Sequence, residues 1–191
     1  KLAPRLKVIK PFYNHDTYIN LLCNTIKPYL NKPYDHILFS YHGLPERHLR
    51  KADPTGMVCL KQDKCCESTH PNVHATCYRA QTVKMTELIS KQLKLNPNKF
   101  SICFQSRLGS DPWTTPNTED ELIRIAKEGK KRLLIVCPAF TVDCLETLEE
   151  ICEEGKELFI ESGGTSFTYI PCLNLNEGFI DLISDWIKDY N

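Results

Sequence analysis

The chain alternates short apolar runs with longer segments in which apolar residues recur at helical spacing. Short apolar runs bounded by turn-forming residues predict buried β-strands, and apolar residues every three or four positions predict amphipathic helices. The predicted strands cover residues 6–9, 37–40, 100–104, 132–137 and 166–170. The predicted helices cover residues 16–29, 78–93, 118–128, 143–161 and 177–189.

This alternation predicts an α/β fold. Strands that alternate with helices form a doubly wound, mostly parallel sheet with helices on both faces and right-handed crossovers. Residues 53–77 break the pattern, because they carry Pro, Gly, His and Cys without periodicity, so we predict a Cys-rich inserted loop there. Local signals predict an N-cap at Asp16 and a capping box formed by Thr118 and Glu121.

Length and charge narrow the class of protein. The 191 residues suffice for one domain, residues 1–191, or one lobe of a larger protein, and the initial Lys favours a piece of a longer chain. The 24 Lys and Arg balance the 24 Asp and Glu, so no basic field favours nucleic acid or an anionic membrane. The longest apolar run, residues 133–140, is too short to cross a bilayer. Without a recognisable signal peptide we expect a cytoplasmic protein, with peripheral membrane contact left open.

His42 is the centre of the candidate chemistry. Gly43 and Pro45 interrupt the strand predicted at residues 37–40, so we expect His42 just past its carboxyl end. Open α/β sheets bind their ligands at that end of the strands. An imidazole there accepts a proton near neutral pH or binds a borderline metal. The alternative is a packed, hydrogen-bonded structural histidine.

A second candidate lies in the first turn of the helix predicted at residues 143–161. Glu146 and Glu150 are four positions apart and share a face, which we expect to meet the same crevice as His42. A His and a Glu across a cleft bind a divalent cation or move protons, and Glu153 and Glu157 would extend a cation path to the surface. The opposite, core-facing side is predicted to carry Leu145, Leu148 and Cys152. The alternative is a solvated acidic face near a helix N-terminus.

Residues 105–113 form a third loop at a strand's carboxyl end. Arg107 offers a guanidinium for a carboxylate, and Trp113 together with Phe140 would wall a flat aromatic ligand. The alternative is a packed loop with Trp113 in the core.

Eight of the ten cysteines divide into two groups by context. Four lie in apolar elements and are predicted to be small buried hydrophobes: Cys23, Cys103, Cys137 and Cys172. Four others crowd the polar segment 53–77: Cys59, Cys65, Cys66 and Cys77. Clustered thiolates suit zinc or an iron–sulfur cluster, and His70 and His74 are further zinc ligand candidates. Thiols without metal, or a disulfide, remain the alternatives.

Four motifs together resemble one enzyme family. They are SYHGLPER at residues 40–47, FQSRLGSDPW at 104–113, PAFTVDCLETLEE at 138–150 and YIPCLN at 169–174. Their order and content are similar to the second half of ferrochelatases of the proteobacterial type. The resemblance implies a chelatase-like lobe, a missing N-terminal lobe, and insertion of Fe(II) into protoporphyrin IX to make haem.

The resemblance also implies roles for particular residues. His42 matches the active-site histidine, Glu146 its partner carboxylate and Asp143 the acid beside it, with His42 and Glu146 as metal contacts. Substrate contacts are expected from the side chains of Tyr41, Arg107, Trp113 and Phe140. Some microbial members carry a 2Fe–2S cluster on an internal Cys-rich insertion, which implies Cys59, Cys65, Cys66 and Cys77 as ligands.

The chemistry of metallation suits these residue types. A porphyrin loses two pyrrole protons as metal enters, so a neutral imidazole is a suitable base, and a carboxylate hands over metal or relays protons. A tight aromatic slot would favour the distorted ring. The rival hypothesis is a non-catalytic haem-, porphyrin- or metal-binding lobe that requires a partner lobe. A zinc- or cluster-held structural domain is a third.

Overall fold

The computed structural model describes residues 6–67 and 70–188 and contains one four-stranded sheet. Its strands are β1 (His36–His42), β2 (Phe100–Gln105), β3 (Arg132–Val136) and β4 (Ser166–Ile170). The strand order is β2-β1-β3-β4, and every neighbouring pair is parallel. The predicted α/β fold with a parallel sheet is therefore confirmed.

Helices fill the connections between the strands, as the periodicity predicts. They are α1 (Asp16–Ile26), α2 (Glu46–Ala52), α3 (Pro71–His74), α4 (Tyr78–Gln92), α5 (Thr118–Lys127), α6 (Leu145–Thr147), α7 (Lys156–Glu161) and α8 (Glu177–Lys188). A π-helical segment, Leu148–Gly155, joins α6 to α7, and short 3₁₀ turns occupy Lys27–Asn31 and Pro97–Lys99. The predicted end of the last helix, Asp189, lies outside the described residues. No helix in the described ranges is both long and apolar enough to cross a membrane.

The two faces of the sheet carry separate cores. Ile37, Phe39 and Tyr41 of β1 pack into a core with residues of α1, α4 and α8. Leu38 packs into the other core with residues of α5, the π-helical segment and α7. Because side chains alternate between faces along a strand, all of β1 is buried up to His42. Helices on both faces confirm the doubly wound arrangement.

Three local predictions are wrong. Residues 6–9 form no strand, and Leu6 and Val8 are exposed because the segment lies outside the sheet. Asp16 is the first helical residue rather than the cap, since His15 precedes it without a side-chain cap bond.

The predicted capping box at the start of α5 is also absent. Asn117 Oδ1 caps this helix by accepting a hydrogen bond from the Glu119 N–H at 2.9 Å. The Thr118 hydroxyl is instead committed to a buried network, 3.0 Å from Ser40 Oγ. Glu121 accepts a 2.8 Å hydrogen bond from Arg124 rather than reaching back to the cap.

Residues 53–77 fold as consecutive turns with the short helix α3, and the Asp53 carboxylate organises the first of them. Asp53 is only 7% exposed and accepts hydrogen bonds from the N–H groups of Thr55, Val58 and Cys59 at 2.8–2.9 Å. These hydrogen bonds hold the Asp53 pKa well below its usual range, and the bond from Cys59 has the largest effect.

We expect Asp53→Asn to lower the thermal unfolding midpoint at pH 7, because an amide satisfies these donors less well than a carboxylate does. A depressed pKa adds stability above the unfolded-state pKa of about 4, and that stability is lost as the pH falls further. The difference from wild type should therefore narrow below about pH 4 in melting curves recorded across pH. The exposed Asp63 of the same segment gives a matched control, Asp63→Asn. If the two substitutions lower the unfolding midpoint equally at every pH, the Asp53 carboxylate does not organise this turn.

Candidate active site

The site lies where the strand order reverses. β2 pairs with one edge of β1 and β3 with the other, so the chain leaves β1 in one direction and later returns on its opposite side. The carboxyl ends of β1 and β3 therefore border a crevice, which is the usual ligand position in open α/β sheets. His42 ends β1, and residues 137–144 follow β3 into the same region. His42 is thus the last residue of the strand rather than just past it.

The His42 ring is held in one tautomer. Its Nδ1 lies 2.6 Å from the carbonyl oxygen of Gly43, and since a carbonyl only accepts, Nδ1 carries the hydrogen. Nε2 therefore presents a lone pair that accepts a proton or binds a metal. The ring is half-buried near two aromatic side chains, with its centroid 6.5 Å from that of Trp113 and 6.4 Å from that of Phe140.

Gly43 allows the loops after β1 and β2 to close behind His42. The Gly43 N–H donates to the Gln105 carbonyl at 2.8 Å, and Pro45 forms a β-bridge with Trp113. A Cβ on Gly43 would lie 2.9 Å from the Gln105 oxygen and 3.2 Å from Trp113 Cε3. Trp113 is accordingly half-buried in a packed loop, with its Nε1 enclosed and without a hydrogen-bond partner in the described residues.

We expect Gly43→Ala to destabilise the fold by about 1–3 kcal/mol, because the added methyl forces a backbone oxygen and an indole ring apart. Chemical denaturation of the full-length protein measures this loss. Gly129→Ala is the comparison without a steric clash, since a Cβ at Gly129 meets nothing within 4 Å and its cost comes from the φ of +82° alone. Gly43→Ala with wild-type stability would contradict the close approach.

Glu146 lies at the start of α6, near enough to His42 for their charges to interact. The Cys144 thiol donates a hydrogen bond to the Glu146 carboxylate, and this bond, with a smaller effect of the His42 charge, lowers the Glu146 pKa. The Glu146 main chain is also fixed, because Gln105 Nε2 donates to its carbonyl oxygen at 2.6 Å. The structure therefore brings His42, Glu146, Trp113 and Phe140 together at one rim of the sheet.

Gln105 is a site residue that the sequence analysis did not select. Its side chain is buried and its Oε1 accepts a 2.8 Å hydrogen bond from Ser40 on β1. Its amide thus joins β1 and β2 to the Glu146 turn. A buried glutamine at the end of an apolar strand is a usable signal, because such an amide must find partners nearby.

Asp143 lies in the same connection but faces the segment after β4. Its carboxylate accepts hydrogen bonds from Tyr169 Oη at 2.5 Å and Asn174 Nδ2 at 2.7 Å. Burial alone would raise the Asp143 pKa, but these hydrogen bonds, with further ones from Cys172, outweigh it and the pKa lies below its ordinary value.

Acidic residues of the π-helical segment open onto a pocket of about 430 Å³ beside Glu146. Its lining includes Gln105, Ser106, Arg107, Leu108, Leu145, Glu146, Glu149, Glu150 and Glu154. Glu146 and Glu150 both line this pocket, whereas His42, Trp113 and Phe140 lie outside its lining, and so do Glu153 and Glu157 of the predicted cation path. The π-helix is wider than the α-helix assumed in that prediction, and it changes which residues align.

The same change of period overturns the predicted core face of this helix. Leu145 and Leu148 are exposed at 69% and 49%, and Cys152 is only partly buried. The buried positions are four apart: Thr147, Ile151, Gly155 and Phe159.

Arg107 and Tyr41, both predicted as substrate contacts, lie in different surroundings. Arg107 lines the acidic pocket from an exposed loop. Tyr41 is fully buried in the opposite core, with its hydroxyl 2.7 Å from Thr86 Oγ1, so the structure does not bring it to the site. The reason is the strand period, since neighbouring residues such as Tyr41 and His42 point to opposite faces.

The four cysteines of residues 53–77 converge through their thiols. Hydrogen bonds from Cys66 and then Cys59, together with N–H groups at the start of α4, lower the Cys77 pKa. Cys65 packs beside them with Val58 and Val73. Within residues 6–67 and 70–188, however, no three His, Cys, Asp or Glu side chains are arranged to hold a metal ion.

Two further observations describe the cysteines and a histidine of this segment. All ten cysteines are thiols rather than disulfides. His74 Nε2 donates to the Cys65 carbonyl at 2.8 Å, which occupies one of its ring nitrogens. The thiols of Cys59, Cys66 and Cys77 are thus close enough to form hydrogen bonds with one another, and the described residues show no arrangement of three ligands around a metal ion.

Comparison with known proteins agrees with the site. The sequence model of the family described as Ferrochelatase matches residues 1–190. Ferrochelatase of Ectopseudomonas mendocina is 51% identical over 170 residues, covering 89% of this chain and 50% of that protein. Ferrochelatase of Opitutus terrae is 48% identical over 190 residues, covering 98% of this chain and 55% of that protein. The chain thus spans about half the length of these relatives. It belongs to the ferrochelatase family.

Proposed function

We propose that the protein containing this chain inserts Fe(II) into protoporphyrin IX, the last step of haem synthesis. Family membership supports this, but the observation that carries it is local. The His42 imidazole has a defined lone pair on Nε2, its ring centroid lies 6.5 Å from that of Trp113 and 6.4 Å from that of Phe140, and the Glu146 carboxylate at the same rim interacts with its protonated form.

His42 acts as the base in the proposed reaction. Because Nδ1–H is bound to the Gly43 carbonyl, Nε2 is the atom that takes a pyrrole proton. The resulting imidazolium is stabilised by the nearby Glu146 carboxylate. Two protons leave the porphyrin as one Fe(II) enters, so the charge of the ring system is unchanged, and His42 takes the two protons one after the other and passes each to solvent.

Glu146 receives the metal on the side of the acidic pocket. Carboxylate oxygens bind Fe(II) and replace its water, and Glu149 and Glu154 line the pocket that leads there. This path replaces the predicted one through Glu153 and Glu157. Iron is a substrate in this scheme, held briefly and released into the ring.

The partner that completes the cleft is proposed to be the preceding half of the protein. Exposed apolar side chains surround the site, including Leu108, Val142 and Leu145. A flat porphyrin and a second lobe would together remove this surface from water. The relatives' twofold greater length supports such a lobe.

A metallation assay tests the proposed function and distinguishes it from a non-catalytic porphyrin-binding lobe. Full-length protein and residues 1–191 are each incubated anaerobically with Fe(II) and protoporphyrin IX, and haem absorbance is followed. We expect turnover from the full-length protein. If the full-length protein binds porphyrin without metallating it, the non-catalytic binding lobe is the correct description. Parallel reactions with coproporphyrin identify the preferred ring.

The 2Fe–2S cluster stays a prediction from the resemblance, and no step above depends on it. Its support is the convergence of Cys59, Cys66 and Cys77, and against it stands the absence of a metal-site arrangement in the described residues. Iron and sulfide analysis of anaerobically purified full-length protein decides the matter. A colourless, sulfide-free preparation would remove the cluster.

We also propose a cytoplasmic location, with peripheral membrane contact still open. Its support is the sequence, since a chain of this length with ten cysteines is not a small disulfide-stapled secreted scaffold. Fractionation of cells with detection of the full-length protein tests both points.

A further inference from the structure

The Asp143 carboxylate accepts hydrogen bonds from several groups of this chain. Its Oδ1 accepts from Tyr169 Oη at 2.5 Å and from the Cys172 N–H at 3.2 Å. Its Oδ2 accepts from Asn174 Nδ2 at 2.7 Å, and Asn174 Oδ1 in return accepts from the Asp143 N–H at 2.8 Å. A carboxylate with these partners would have to break several hydrogen bonds in order to bind a cation or take a proton.

These bonds join two separate connections of the fold. Asp143 follows β3, whereas Tyr169, Cys172 and Asn174 belong to β4 and the segment after it. A further bond, from the Asn174 N–H to the Thr141 carbonyl at 2.9 Å, ties the same two segments. Asn174 has a φ of +50°, a conformation that asparagine tolerates better than most residues. The two segments are thus held together by several reciprocal contacts.

The contacts of Asp143 with Tyr169, Cys172 and Asn174 form a clamp between the two segments. The chain runs from this clamp directly into the turn that carries Glu146. The next residue, Cys144, donates its N–H to Thr147 Oγ1 at 2.9 Å, and the fully buried Thr147 fixes that turn against the core. The Cys144 thiol in turn contacts the Glu146 carboxylate. The position of Glu146 is therefore set on one side by Asp143 and on the other by Gln105.

We propose that Asp143 is a positioning residue that holds the Glu146 turn against the segment after β4, and that it carries neither metal nor protons itself. This inference deepens the proposed function and rests on it. It replaces the role of a second acid in the reaction, which the family resemblance implies for Asp143.

The test is a double-mutant cycle in the full-length protein, measured as the kcat of Fe(II) insertion. We expect Asp143→Asn and Tyr169→Phe each to lower kcat by about tenfold, and the double variant to fall no further, because both changes open the same clamp. In a Glu146→Gln background, Asp143→Asn should cost little more, since its effect acts through Glu146. The pH–rate profile of the Asp143→Asn variant should keep the wild-type shape.

Contrary results are equally specific. If Asp143 carries metal or protons, Tyr169→Phe leaves the rate unchanged or raises it, and Asp143→Asn still lowers the rate in the Glu146→Gln background. Either result overturns the inference. Should Asp143→Asn fail to fold, Tyr169→Phe alone decides between the two roles. Full activity of Glu146→Gln would instead reject the proposed function of Glu146. Asp181→Asn, at an exposed acid on α8, is the matched control.

Discussion

His42→Ala is expected to lower kcat for Fe(II) insertion by about 10²–10⁴-fold, the usual contribution of a positioned general base. The reason is geometric, because the Gly43 carbonyl fixes Nδ1–H and leaves Nε2 as the one ring atom able to accept a proton. An alanine leaves the aromatic slot of Trp113 and Phe140 in place. Porphyrin affinity, measured by fluorescence quenching, should therefore change much less than kcat.

His48→Ala is the matched control for this change. His48 lies six residues later on the exposed side of α2, so its loss removes an imidazole without touching the crevice. We expect it to leave kcat unchanged. A His42→Ala variant that folds and turns over at the wild-type rate would rule out His42 as the base and leave proton removal to solvent or to another group.

The position of His42 can be predicted from the sequence because two local features determine it, a short apolar run and the glycine that ends it. Apolar residues 37–39 predict a strand buried on both faces, and Gly43 ends it, so His42, the residue directly before Gly43, is expected at the sheet rim. The same alternation, applied strictly, would have excluded Tyr41, whose odd-numbered neighbours Ile37 and Phe39 fill the opposite core. The resemblance of the motif as a whole obscured that distinction.

The acidic helix was harder to predict because its backbone changes period. Apolar and acidic residues after Asp143 fit an α-helical pattern, and nothing in their types announces a π-helix over Leu148–Gly155. Tertiary contacts decide it instead. Glu150 accepts from both the N–H and the hydroxyl of Ser106, at 2.5 and 2.6 Å, and Ser106 has a φ of +63° in the loop after β2. Partners so distant in the chain are invisible to local pattern analysis.

Glu146→Gln is expected to lower kcat by about 10²-fold or more, because the amide neither binds Fe(II) as a carboxylate does nor stabilises a protonated His42. The hydrogen bond from Cys144 lowers the Glu146 pKa, so Glu146 stays ionised to lower pH than an ordinary glutamate. The loss in Glu146→Gln should consequently be constant through the neutral range. Wild-type activity should fall toward that of the variant only as the pH drops through this lowered pKa.

Initial rates of haem formation between about pH 3 and pH 8, with iron concentration varied, measure both effects, because the Glu146 pKa lies below its ordinary value of 4.5. Glu157→Gln is the control, since Glu157 is an exposed acid of α7 outside the pocket lining. In Cys144→Ala the Glu146 pKa should rise, because its largest stabilising hydrogen bond is removed, and the acid limb should move to higher pH. If Glu146→Gln and Glu157→Gln retain equal activity, iron reaches the porphyrin without Glu146, and the imidazole and the carboxylate do not act as a pair.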